Sequence, residues 1–221
     1  ELRTPLTVIS GFLEHAQETP DLSMDERMKQ LDLMRHQADR MTVLIQDMLM
    51  LSWLESEVHV DAHTIAMPIL IRQQLDSAQA LSAGRHIFHS SIENINIEGS
   101  EQEIASVVGN LLSNAVRYTP EGGDIFLNWS YNAKQQPTLV VRDTGMGIAS
   151  EHLPRLTERF YRVNTAQSRA TKGTGLGLAI VKHVLIRHHA QLKIESLVSP
   201  SPKHGTTFTV IFPREGLGSG R

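Results

Sequence analysis

Gly173-Thr174-Gly175-Leu176-Gly177-Leu178 runs directly into Ala179-Ile180-Val181. Alternating glycines followed by an apolar run predict a glycine-rich loop that opens a helix over 174–189. Free backbone N–H groups and the helix dipole suit such a joint to phosphate. Two commoner phosphate loops are excluded by spacing. A dinucleotide fingerprint needs Gly-x-Gly-x-x-Gly after a strand, and a Walker loop needs Gly-Lys-Ser/Thr. Neither pattern is present, and polar or basic residues, Arg169 and Lys172 among them, precede the glycines. The stretch 164–172 is poor in apolar residues and is expected to act as a mobile lid over a triphosphate.

Two upstream segments point the same way. Asp143-Thr144-Gly145-Met146-Gly147-Ile148 follows an apolar strand predicted over 138–142. A carboxylate at a strand end can accept from an adenine amino group, and glycines let backbone approach a base. Taken alone, a tight turn with an N-capping aspartate explains this segment equally well. In Asn110-Leu111-Leu112-Ser113-Asn114-Ala115-Val116-Arg117-Tyr118, the two asparagines are four apart and share one helix face. Amide oxygens are hard, neutral ligands suited to Mg²⁺, which also takes phosphate oxygens and water. Arg117 and Tyr118 follow on adjoining faces, towards phosphate and a nucleobase. By itself, an asparagine pair at this spacing is more often a pair of surface amides.

Around these segments the patterning alternates between helix and strand. Pro68 suits the first turn of a helix that continues to Gly84. Strands are predicted over 86–92, 95–98, 124–131, 138–142, 191–197 and 206–212, with turn chemistry at Gly122-Gly123 and over 200–205. A helix over 101–117 has Ser100 as its N-cap and Glu103 as a capping-box partner. This order predicts an α+β sandwich, one sheet covered by helices on a single face.

The first 57 residues differ in character. Residues 1–19 read as a helix, with Pro5 at a kink or near a bend, and Thr19-Pro20-Asp21 ends it. A long helix follows over 24–55. Leu31, Ala38 and Ile45 form one heptad series, and Met34, Met41 and Met48 form the other. A hairpin this narrow cannot bury its seam alone, so a dimeric four-helix bundle is expected. The alternative is that the seam packs on the second domain of the same chain. Residues 55–66 lose the heptad and read as a linker.

Composition narrows the classes. The 221 residues are 40% apolar but only 5% aromatic, so aliphatic side chains must fill the core. A net charge of −3 leaves no electrostatic footprint for nucleic acid. The absence of cysteine excludes disulfides and thiolate metal sites. No apolar run reaches the ~18 residues of a membrane span. There is no signal peptide and no initiator Met, so a piece of a longer, membrane-anchored protein is expected. No trio of histidines has zinc spacing; His15, His36, His59, His63, His183, His188 and His189 read as structural or solvated.

The order of the segments is more specific than any one of them. The asparagine pair, Asp143-x-Gly-x-Gly, Glu158-Arg159-Phe160-Tyr161-Arg162, the alternating glycines and Gly205-Thr206-Thr207-Phe208 together resemble the N, G1, F, G2 and G3 boxes of bacterial sensor histidine kinases. Glu1-Leu2-Arg3-Thr4-Pro5-Leu6 resembles the second half of their phosphoacceptor box, whose histidine would directly precede Glu1. The resemblance covers nearly the whole chain. The stretch from Pro154 to Val163 is similar to the phosphate-regulon (PhoR) type in particular.

The resemblance implies a dimerising phosphotransfer hairpin over 1–57, a linker and first strand over 58–66, a Bergerat-type (GHKL) ATP-binding sandwich over 67–215 and an unstructured tail over 216–221. It makes Asn114 the Mg²⁺ ligand and Asn110 a phosphate or metal partner. Arg117 faces phosphate, Tyr118 lies against adenine and Asp143 reads the adenine amino group. Gly145, Gly147 and Thr206 shape the base pocket. Gly173, Thr174, Gly175, Leu176 and Gly177, with Arg162 and Lys172, supply lid and phosphate contacts. Glu1 would help activate the histidine, and Thr4 would position water for dephosphorylating the partner.

The implied reaction carries phosphoryl from MgATP (ADP being the product) to a histidine, then to an aspartate of a PhoB-like response-regulator receiver domain. The protein mainly contributes positioning and charge stabilisation. The implied setting is the cytoplasmic portion of a bacterial inner-membrane sensor. Two rivals differ in class: a nucleotide-binding scaffold that docks a regulator without kinase chemistry, and another Bergerat-fold ATPase. The second leaves Glu1-to-Leu6 and the heptad hairpin unexplained.

Overall fold

The computed structural model describes residues 2–19, 22–56, 62–163, 173–199 and 204–214. Glu1, Lys172, the expected lid over 164–172, part of the linker with His59, and the tail over 216–221 lie outside the described residues. So do Pro20, Asp21 and most of the 200–205 turn.

Two helices come first, α1 (Arg3–Glu18) and α2 (Met24–Glu55), packed as a hairpin. Pro5 sits in the first turn of α1, where backbone N–H groups have no intrahelical partner, so its ring costs no helical hydrogen bond. Ser23 starts α2 with a complete capping box. Its hydroxyl accepts from the Glu26 amide at 3.3 Å, and its own amide donates to the Glu26 carboxylate at 3.1 Å.

The heptad positions of α2 are unevenly buried. Met34 and Met41 are half-buried, whereas Leu31, Ile45 and Met48 remain 54%, 43% and 44% exposed. Further along, Leu51 and Leu54 are buried in the core of the second domain. The end of α2 therefore packs on its own chain, while its upper part leaves an apolar stripe open.

The second domain is built on a five-stranded sheet, in the order β2 (Ile87–Ile92), β4 (Asp124–Tyr131), β5 (Pro137–Asp143), β7 (Gly205–Ile211), β6 (Gln191–Leu197). The β2–β4 pair is parallel and the others are antiparallel. A small separate ladder pairs β1 (His63–Ile65) with β3 (Ile97–Gly99). Helices α3 (Met67–Ser82), α4 (Glu101–Tyr118) and α5 (Gly177–Arg187) complete the layer, with α4 packed against α3, α5 and β5. The α+β expectation of a sheet with a helical layer matches this architecture.

Strand alternation explains the core. Ile125, Leu127 and Trp129 of β4 are buried, and Leu127 and Trp129 sit opposite Val141 and Leu139 of β5. Val141 and Leu139 in turn oppose Phe208 and Val210 of β7. Trp129 is wholly buried, donates its indole N–H to Ile95 O at 3.1 Å, and meets Phe212 edge-on at 5.8 Å.

Two local expectations need correction. The helix expected over 174–189 spans only Gly177–Arg187. Gly175 adopts φ +74°, a Cβ there would lie 2.9 Å from the Phe160 backbone, and Phe160 N donates to Gly175 O at 2.9 Å. A left-handed residue cannot sit inside a right-handed helix, so the glycines stay in the loop.

The capping box at Ser100 is only half made. The Ser100 hydroxyl accepts from Glu103 N at 3.4 Å, but the Glu103 carboxylate turns inward, fully buried, to Arg187 at 3.3 Å. The Ser100 amide donates instead to His188 Nε2 at 3.1 Å.

That bond requires a lone pair on His188 Nε2, while Nδ1 donates to Val184 O at 2.9 Å. Burial depresses the His188 pKa; Arg187 and His189 act in the same direction, and Val184 O and Glu103 oppose it. An unfolded histidine takes a proton near pH ~6.5, so below that the unfolded state binds more protons than the folded one. Stability from this group is full above that pH and is lost as pH falls through the lowered folded value. Urea midpoints should drop between neutral and mildly acidic pH, and less so in His188→Gln. Equal slopes in both proteins would rule this out.

Candidate active site

β5 ends at Asp143, and the carboxylate there is only 4% exposed. Both captured bonds go to Oδ1: Gly145 N donates at 2.8 Å and Thr206 N at 3.1 Å. Burial pushes the Asp143 pKa up, while the two amides, Arg142 and His204 pull against it. The result is an oriented acceptor at the inner wall of a cavity of about 670 Å³. That volume suits a nucleotide-sized ligand.

The loop after Asp143 is held by its neighbours. Ser196 Oγ accepts from Ile148 N at 2.8 Å and donates to Gly205 O at 2.9 Å, tying the loop to the β6–β7 pair. Its contact with Thr206 Oγ1 is 3.0 Å. Gly147 has φ +75°, and a Cβ there would lie 2.0 Å from Leu197 O, so no other residue fits without moving backbone.

α4 forms the opposite side. Asn110, Asn114, Arg117 and Tyr118 line the cavity. The Asn110 amide nitrogen donates to Ser106 O at 2.9 Å, which orients its Oδ1 away from that bond. Gly177 lies against this amide, with no room for a side chain beside Oδ1. Gly173, Thr174 and Gly175 complete the rim, and Arg162 also lines it.

Twelve of the expected residues therefore meet at one cavity: Asn110, Asn114, Arg117, Tyr118, Asp143, Gly147, Arg162, Gly173, Thr174, Gly175, Gly177 and Thr206. Two do not line it. Gly145 acts through its amide on Asp143. Leu176 is wholly buried in the core, because its side chain anchors the start of α5 instead of reaching a ligand. Thr4 is exposed on the first turn of α1 and is not on the cavity wall. Glu1 and Lys172 fall outside the described residues.

Sequence reasoning missed two groups. His36, Asp39, Arg40, Val43 and Asp47 of α2 supply a whole wall. Their spacing of three, four and seven marks one helix face, but nothing in it pointed to a ligand. Near the F-like segment, His152 Nδ1 meets Tyr161 OH at 2.7 Å, and the Arg155 guanidinium stacks over Tyr161 at 4.3 Å. Both His152 and Tyr161 line the cavity.

Comparison with known proteins agrees with this geometry. The family model described as "Histidine kinase-, DNA gyrase B-, and HSP90-like ATPase" matches residues 99–216. The model described as "His Kinase A (phospho-acceptor) domain" matches residues 1–57. The phosphate regulon sensor protein PhoR of Pseudomonas aeruginosa is 46% identical over 96% of the chain and 47% of that protein. Its counterpart in Haemophilus influenzae is 36% identical over 97% of the chain and 49% of that protein. The chain spans about half the length of these curated relatives.

Among solved structures, the Acinetobacter baumannii histidine kinase AdeS superposes with a TM-score of 0.74 at 21% identity, over 96% of each chain. The histidine kinase ThkA, solved in complex with a response regulator protein, gives 0.73 at 20% identity, over 97% of this chain and 59% of that one. At these identities the likeness is one of fold. With a phospho-acceptor model over its hairpin and an ATPase model over its sandwich, this chain belongs to the histidine kinases.

Proposed function

We propose that the chain binds MgATP in the α4–β5 cavity and uses it to phosphorylate a histidine directly preceding Glu1, at the head of the helical hairpin and outside these 221 residues. The phosphoryl group then passes to an aspartate of a response-regulator receiver domain. The observation that carries this reading is Asp143: a buried carboxylate, fixed by two amides, across one cavity from an asparagine pair, Arg117 and a glycine loop.

Within this reading Asp143 accepts from the adenine amino group, and Gly147 and Thr206 bound the base. Arg117, Thr174 and the amides of the glycine loop take phosphate oxygens. Asn114, with Asn110 beside it, presents the neutral amide oxygen that Mg²⁺ prefers. The orientation of Asn110 by Ser106 supports that fit, since its oxygen is the atom left over. Mg²⁺ would neutralise phosphate charge when bound. Glu1 takes the second proton of the attacking imidazole, and Thr4 positions water for regulator dephosphorylation.

The finer reading assigns 1–57 to phosphotransfer and dimerisation and 67–215 to ATP binding. The open stripe of Leu31, Ile45 and Met48 supports a dimeric four-helix bundle. Identities of 46% and 36% to two phosphate regulon sensors support a role in phosphate-starvation signalling, with a PhoB-like regulator as partner and a membrane-anchored whole protein. No helix among the described residues is long and apolar enough to cross a membrane.

The test is labelling. With a histidine placed directly before Glu1, incubation with γ-labelled ATP should label the chain, and with glutamine there it should not. A dimeric, nucleotide-bound protein that stays unlabelled with histidine would favour the regulator-docking scaffold instead.

A further inference from the structure

The nucleotide cavity has one wall that does not come from the ATPase domain. α2 of the hairpin passes its rim, and Asp47 reaches across to the glycine loop. Its Oδ2 accepts the Thr174 hydroxyl at 2.8 Å, a contact between residues 127 apart in the chain. Thr174 in turn accepts from Leu176 N at 3.3 Å, so the loop is shaped around this hydroxyl. Burial raises the Asp47 pKa, while Thr174 and the nearby Arg117 charge favour its ionised form.

The chemistry of this contact is that of a bound phosphate. An anionic oxygen sits against a glycine-loop hydroxyl, close enough to Arg117 to feel its charge, beside the asparagine pair. Those are the groups the nucleotide reading gives to the triphosphate. Nine residues along α2, about 13 Å at helical rise, a different contact pins the helix end. Arg187 donates to Ser56 O at 3.3 Å and stacks over Trp53 at 5.1 Å. Glu55 adds an ion pair to Arg159 and lies 3.7 Å from His183 Nε2. The helix is thus held at two points, one of them inside the ligand cavity.

We infer that Asp47 is an internal phosphate surrogate. It latches the hairpin to the glycine loop, and the triphosphate displaces it, freeing the ATPase domain to move about the Arg187 anchor. Two anions cannot share Thr174 and Arg117. Nucleotide binding and domain release are then linked, and each weakens the latched state. This inference rests on the nucleotide assignment above.

The test compares the wild-type chain with Asp47→Ala and Asp47→Asn by calorimetry, using ATP, ADP and adenosine. Asp47 lies outside the groups assigned to bind nucleotide, and melting curves check that each variant folds. ATP should bind Asp47→Ala about tenfold more tightly than wild type, the size expected for one lost charge-assisted competitor. Asp47→Asn should fall between. Adenosine, which has no phosphate, should bind all three equally.

A fluorophore pair on α2 and β6 should separate in wild type when ATP is added, and should already be separated in Asp47→Ala without it. Equal ATP affinities with an unchanged pair distance would overturn the latch while leaving the nucleotide site standing. Weaker ATP binding in Asp47→Ala would also overturn it, making Asp47 part of the site. No ATP binding in the wild-type chain would instead sink the nucleotide assignment.

Discussion

Asp143→Asn should lose about 10- to 150-fold in ATP affinity, the equivalent of a charge-assisted hydrogen bond of about 1.5–3 kcal/mol. The substitution keeps the shape of the side chain. Its amide oxygen can still accept from Gly145 N and Thr206 N, which now hold Asp143 at 2.8 and 3.1 Å. Its NH₂ then faces the cavity, where the adenine amino group is a second donor. Flipping the amide only moves the conflict, since the NH₂ then meets two backbone donors. The fold should hold, because a buried carboxylate that burial already disfavours is replaced by a neutral group. Calorimetry and a melting curve separate the two effects. Unchanged affinity with unchanged melting would remove Asp143 from the base pocket.

Arg187→Met should destabilise the folded chain by about 3–5 kcal/mol, the range for breaking one side of a buried ion pair. The Glu103 side chain is 1% exposed and that of Arg187 is 12% exposed, so water cannot replace the lost guanidinium. The bond from Arg187 to Ser56 O and the stacking on Trp53 go with it. Against a total stability of about 5–15 kcal/mol this is a large share. Adding Glu103→Leu should recover much of the loss, because an apolar pair leaves no unpaired charge. Urea unfolding of the single and double variants measures both. A single variant within about 1 kcal/mol of wild type, the range of exposed pairs, would show that solvent reaches Glu103.

Much of the site was legible because its residues sit close together within short segments. Asn110 and Asn114 share a helix face by periodicity alone, and Asp143 closes an apolar run that reads as a strand. Local chemistry also placed Ser100 at a helix start. Reading failed where a long-range partner outbid a local one. Glu103 left its capping box because Arg187 lay within reach, and the vacated Ser100 amide went to His188. Leu176, inside a phosphate-like motif, went to the core. Ser196, which ties the Asp143 loop to β6 and β7, carries no motif at all.

Spacing within and between segments was enough to specify the element order, the helical hairpin, the sandwich and most of the cavity residues. The hairpin and the order of strands and helices follow from periodicity and turn chemistry, each acting over a few residues, whereas most of the cavity residues were implied by the resemblance to the histidine kinases. Folding in three dimensions settled where α2 comes to rest. Its lower end enters the core through Leu51 and Leu54, and Asp47 docks on Thr174. No local pattern encodes that contact, since it depends on how two domains pack and on burial that neither segment has alone. The glycine loop over 173–178 is therefore a meeting point of the two domains.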